Sequence, residues 1–140
     1  LGEKEIRQLL PDVLTAEEAG SLQVGRVDLC HPLVERLRDL MPGAIVPEAY
    51  ARVERKADGH SWHVDTGDSG HMPWCRYSGS VLLSPPDTFT GGMFRFRNPA
   101  AEYKHYLSLL TYSSDQEHCV EPHEGERRVL LIFLGALDGI

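Results

Sequence analysis

The chain has 140 residues, enough for one domain that buries its own core without a metal or disulfide staple. Its 14 Lys and Arg against 21 Asp and Glu leave a net charge of −7, and no basic stripe interrupts that balance, so nucleic acid is not the expected partner. Cys30, Cys75 and Cys119 are odd in number and far apart, which predicts a reducing, cytoplasmic setting, and no apolar run approaches the roughly 20 residues that cross a bilayer.

The opening Leu1-Gly2-Glu3-Lys4 has neither Met nor a charged-then-apolar leader, as expected of a domain excised from a longer chain. The first forty residues read as helical. Thr15-Ala16-Glu17-Glu18 is a capping box that opens a short helix through Leu22. Pro32 suits a first helical turn, and Leu33, Val34, Leu37, Leu40 and Met41 recur at helical spacing until Pro42-Gly43. This predicts amphipathic helices over residues 1–48 that cover one face of a sheet.

From Ala49 the period changes. Strands are expected over 49–56, 61–65, 80–84, 93–97, 106–112 and 128–134, all rich in aliphatic or aromatic residues. Asp58-Gly59, Pro85-Pro86-Asp87 and Gly91-Gly92 punctuate them, and residues 66–73 have the composition of a loop. Many short strands with turns between them predict a mainly β sandwich, barrel or jelly roll over 49–135, within a single domain spanning 1–140.

His63-Val64-Asp65 carries the chemistry. In an extended segment, residues two apart share a face, so this pair presents an imidazole and a carboxylate together. His118 would join them from a distant strand. Two imidazoles and one carboxylate on one side of a metal form the facial triad suited to non-haem Fe(II), with coordination positions left open.

In order, His63-Val64-Asp65, the strand Ser80–Ser84, Phe89-Thr90-Gly91-Gly92, Leu109-Leu110, His118-x-Val120-x-Pro122 and Gly125-x-Arg127 resemble the prolyl-hydroxylase-like group of Fe(II)/2-oxoglutarate dioxygenases. The resemblance covers residues 49–135, and the Thr15–Leu22 segment looks like the short helix that precedes that core. It implies a distorted jelly roll (double-stranded β-helix) with N-terminal helices, and Fe(II) held by His63, Asp65 and His118. It also implies 2-oxoglutarate and O2 as co-substrates, with ascorbate as reductant. The implied reaction hydroxylates an unactivated C–H bond of a prolyl or other amino-acid side chain, in a small molecule, peptide or protein, and releases succinate and CO2. Asp65 stands where halogenating members have a small residue, so hydroxylation is implied.

The distal carboxylate of 2-oxoglutarate is expected to meet Arg127, whose planar fork can hold it bidentately. Arg128, on the opposite face of the same strand, is the alternative. Relatives carry a tyrosine on the strand after His-x-Asp, where this chain reads Val81-Leu82-Leu83. Ser80 and Tyr112 are therefore the candidates for a second co-substrate contact.

Trp62 and Trp74 bracket the loop after the metal strand. With Arg76 they are candidates for substrate contact, the alternative being that both tryptophans simply pack. His60, three residues before His63, is expected to face away from it. His31, His71, His105 and His123 are expected at the surface. Cys119 should be a small buried residue turned away from the metal. Glu54, Asp58, Asp68 and Asp87 read as solvated carboxylates. Two readings from other classes stand beside the oxygenase: a non-catalytic jelly-roll binding module with a structural metal, and a cupin-like or zinc metalloenzyme that does not use 2-oxoglutarate. A buried cation across the barrel from the metal separates the oxygenase from the zinc enzyme.

Overall fold

A computed structural model describes residues 24–27, 29–30, 32–45, 49–54, 57–66 and 72–135. The helix expected over Thr15–Leu22 lies outside the described residues, as do His31, Asp68 and His71. One α-helix, α1 (Pro32–Asp39), and one 3-10 turn (Pro86–Thr88) are accompanied by eleven strands among the described residues. They are β1 (Val24–Val27), β2 (Tyr50–Glu54), β3 (His60–His63), β4 (Tyr77–Leu82), β5 (Phe89–Gly91), β6 (Phe94–Arg97), β7 (Ala100–Tyr103), β8 (Leu109–Ser113), β9 (His118–Val120), β10 (His123–Gly125) and β11 (Val129–Leu134).

The strands pair antiparallel into a five-stranded sheet, β1-β2-β11-β4-β8, a four-stranded sheet, β3-β9-β6-β7, and the ribbon β10-β5. The chain steps directly from one large sheet to the other between β2 and β3, between β3 and β4, between β7 and β8, and between β8 and β9. This exchange is the wiring of a jelly roll. Side chains from both sheets line one cavity.

Alternation along the central strand β11 shows how the two faces are divided. Leu130, Ile132 and Leu134 pack with Val34, Leu37 and Met41 of the helical segment and with Ala51, Val53 and Val81. Val129, Leu131 and Phe133 face the other way and line the cavity. Helix α1 thus covers the outer face of the five-stranded sheet, as its apolar spacing predicts. Leu40 does not join that face: the helix ends at Asp39, and Leu40 is 62% exposed.

Three further expectations are corrected. Residues 24–27 are a strand, not helix; β1 pairs in register with β2 from Val24↔Glu54 to Val27↔Ala51. Its two β-branched valines favour that state, and the free edge of β2 supplies the partner. The strand expected over 61–65 stops at His63. The one expected over 106–112 starts only at Leu109, because Leu107 takes a left-handed φ of 55° that breaks the extended run.

Candidate metal centre

β3 and β9 are neighbours, with His63 directly opposite His118 and their ring centroids 4.3 Å apart. Asp65 joins them by a bend and not by strand alternation. The backbone N–H groups of Asp65 and Thr66 both donate to the Ser114 carbonyl, at 2.8 and 3.3 Å, which turns the carboxylate in under the imidazoles. Asp65 Oδ1 then lies 3.4 Å from His63 Nε2 and 3.3 Å from His118 Nε2. One donor atom from each residue falls within 4.8 Å of the others. Two donors at right angles, each about 2.1 Å from a first-row ion, are roughly 3 Å apart, so this set closes on a metal with little movement.

Neighbouring groups determine which atoms face inward. His118 Nδ1 is 2.8 Å from the Gln116 carbonyl and His63 Nδ1 is 2.6 Å from the Ser61 carbonyl, so in each ring Nδ1–H donates outward. Ser78 Oγ donates to Asp65 Oδ2 at 2.6 Å. Both Nε2 atoms and Oδ1 thereby face one another, as an ion between them would require; outer contacts of this kind hold the tautomer and orientation of metal-binding histidines. Phe94 stacks on His118 with centroids 5.3 Å apart, and Tyr112 lies against it at 4.7 Å. Burial alone would raise the Asp65 carboxyl, but hydrogen bonds to His118, His63 and Ser78 outweigh it and hold the group below the usual carboxylate range. Its hydrogen bond to Asp65 raises His63, against desolvation.

Arg127 lines the same cavity, is only 6% exposed, and has no hydrogen-bond partner for Nε among the described residues. Burial draws its guanidinium down to about 10, partly offset by the carboxylate of Glu54. Arg128 is turned away and pairs with Glu126 at 3.1 Å. The Gly91-Gly92 turn makes room for Arg127: a Cβ on Gly92 would meet Arg127 Cδ at 2.6 Å and Nε at 2.8 Å. Ser80 and Tyr112 line this cavity too. Burial, then the nearby Asp65 charge, pushes the Tyr112 phenol well above its ordinary range, so it keeps its proton.

Several residues fall where the sequence did not put them. A register shift between His60 and His63 changes the facing of His60, which lines the cavity 5.6 Å from the His63 ring and hydrogen-bonds to Glu54. Glu54 is not a solvated carboxylate; β2 lies between β1 and β11, so the face opposite Val53 is the barrel interior, and Glu54 is 6% exposed there. His105 and His123 are buried. Trp62, Trp74 and Arg76 are not among the residues lining the cavity. Trp62 stands on the outside of β3 with Arg97 stacked over its ring, Trp74 packs against the core, and Arg76 donates to the Pro73 and Cys75 carbonyls. Cys119 is buried, as expected.

No family model and no curated protein matches the chain by sequence. Solved structures do match. A Pseudomonas putida prolyl-4-hydroxylase superposes with a TM-score of 0.69 at 13% identity, over 97% of this chain and 88% of that one. A viral collagen prolyl hydroxylase from Paramecium Bursaria Chlorella virus-1, solved as a 2OG complex, gives 0.64 at 14% identity, over 99% and 92%. A Trichoplax adhaerens prolyl hydroxylase, solved with a peptide fragment of the hypoxia inducible factor oxygen degradation domain, gives 0.64 at 14% identity, over 96% and 80%. At this identity the likeness is one of architecture: the chain has the fold of the prolyl hydroxylases.

Proposed function

We propose that this chain is an Fe(II)- and 2-oxoglutarate-dependent dioxygenase that hydroxylates a prolyl or other amino-acid side chain in a peptide. The observation that carries the reading is the pairing, in one cavity, of a two-histidine, one-carboxylate donor set with a buried arginine. Nitrogen and carboxylate donors suit Fe(II), and three protein ligands leave positions for a chelating co-substrate and O2. When bound, Fe(II) with 2-oxoglutarate and O2 supplies the oxidising step, in which 2-oxoglutarate becomes succinate and CO2 and the substrate gains one oxygen atom.

The residues of this chain do the rest. His63, Asp65 and His118 hold the ion, with tautomers and rotamers set by the carbonyls of Ser61 and Gln116 and by Ser78. Arg127 takes the distal carboxylate of 2-oxoglutarate, and its low exposure keeps water from competing for that pairing. Val129, Leu131 and Phe133 form an apolar wall that excludes solvent from the reacting centre. A zinc hydrolase has no use for such a buried cation. The peptide carried by the Trichoplax relative supports a peptidyl substrate here.

The test is a screen of peptides and free amino acids for products heavier by one oxygen, with Fe(II) and 2-oxoglutarate present. A prolyl or other side-chain hydroxylation whose yield matches succinate is expected. Metal-dependent turnover that neither needs 2-oxoglutarate nor adds oxygen would replace this reading with the hydrolase.

A further inference from the structure

One buried pair reaches the cavity from its wall: Ser80 lines it, and His105 is bonded to Ser80. Ser80 on β4 is fully buried, and its Oγ lies 2.7 Å from His105 Nε2. His105 is 8% exposed and packs edge-on to Phe94, while its Nδ1 has no partner among the described residues. The backbone is bent to bring it there. Leu107, with its φ of 55°, donates to the Leu82 carbonyl at 2.9 Å, and the Leu82 N–H returns to the His105 carbonyl at 3.4 Å. A left-handed leucine persists only where its surroundings impose it.

The proton count fixes the direction of the Ser80–His105 bond. Desolvation first, and the charge of Arg127 second, hold His105 neutral, so one ring nitrogen carries hydrogen. Were that nitrogen Nδ1, a buried N–H would be left without an acceptor, the costlier defect. With the proton on Nε2, the ring donates to Ser80 Oγ and only a lone pair goes unmet. The Ser80 hydroxyl then keeps its own hydrogen for another acceptor. Ser80 and Arg127 line the same cavity.

We infer that Ser80, oriented by His105, donates a hydrogen bond to the carboxylate that Arg127 holds. His105 is thus a positioning residue, and the pair supplies the second co-substrate contact that Val81-Leu82-Leu83 cannot. The inference rests on the reading of this cavity as a 2-oxoglutarate site.

The experiment measures 2-oxoglutarate binding by calorimetry to Mn(II)-loaded protein without O2, beside Mn(II) affinity and melting temperature. Ser80→Ala and His105→Leu should each raise the 2-oxoglutarate Kd about tenfold, as expected for one bond to a charged acceptor. The double variant should be no worse than either single one. His105→Gln, which restores an N–H donor, should recover most of the loss, while Mn(II) affinity stays unchanged throughout. Tight binding by wild type with no change in Ser80→Ala, or additive losses in the double variant, overturns the inference alone. Wild-type protein that binds Mn(II) but not 2-oxoglutarate overturns the functional reading, and the inference with it.

Discussion

Gly92→Ala tests the proposed anion site at Arg127. Gly92 has a φ of 68°, and an added Cβ would stand 2.6 Å from Arg127 Cδ, 2.8 Å from Arg127 Nε and 3.2 Å from His123 Cβ. The left-handed backbone costs an alanine about 1–2 kcal/mol, which lowers the melting temperature by a few degrees. The contacts below 3.0 Å must also be relieved, and the side chain of Arg127 yields more easily than the backbone. A guanidinium pushed off its carboxylate forfeits a charge-assisted bond worth roughly 1.5–3 kcal/mol. The 2-oxoglutarate Kd should therefore rise about ten- to hundredfold, by calorimetry on the metal-loaded protein, while metal affinity holds. A variant that melts lower yet binds 2-oxoglutarate as wild type does would refute the idea that Gly92 makes the room in which Arg127 anchors it.

Arg127→Ala should raise the KM for 2-oxoglutarate by about ten- to hundredfold while Arg128→Ala leaves it nearly unchanged, and steady-state kinetics showing the reverse would exchange their roles. Trp74 packs against two core clusters, so Trp74→Ala should lower stability by about 2–4 kcal/mol in urea unfolding; loss of coupled hydroxylation without loss of stability would instead return it to the substrate path. His105 is held down from 6.5 to about 4 in the fold, so the unfolded chain takes up its proton first as pH falls. The stability this contributes is complete above pH 6.5 and lost on descent to about pH 4, about 3 kcal/mol in all. His105→Leu should remove that slope from the unfolding profile, and an unchanged slope would show that His105 does not titrate as described.

The sequence revealed the site better than it revealed the frame around it. His63, Asp65 and His118 are polar residues in a fixed order, and type and spacing are what a sequence displays. Arg127 and Arg128 are adjacent, so motif spacing alone could only rank them; burial of one and the Glu126 pairing of the other place them apart. Glu54 was hidden because a strand's second face reads as solvent unless its neighbours are known, and β2 acquires β1 and β11 only through long-range pairing. His60 was hidden by a register shift, which alters facing without a sequence mark. Ser80 stands out in the sequence as a candidate contact, and Ser78 does not. Ser78 is a small polar residue two before Ser80, on the same face of β4, but the sequence places the start of that strand at Ser80 and it begins at Tyr77. Trp62 and Trp74 are open to two readings in the sequence, substrate rim or packing, because an aromatic residue beside a metal strand suits either; their side chains pack on Arg97 and on the core.

The central proposal is that His63, Asp65 and His118 would hold Fe(II) for the oxidative decarboxylation of 2-oxoglutarate. Succinate release, followed with Fe(II), 2-oxoglutarate and O2 in wild type and in His118→Ala, tests it most directly. The account predicts Fe(II)-dependent succinate in wild type, even at the slow rate expected without substrate, and none above background in His118→Ala. Equal succinate from both proteins, or none from wild type carrying one equivalent of Fe(II) in the presence of the peptide screen, would contradict it.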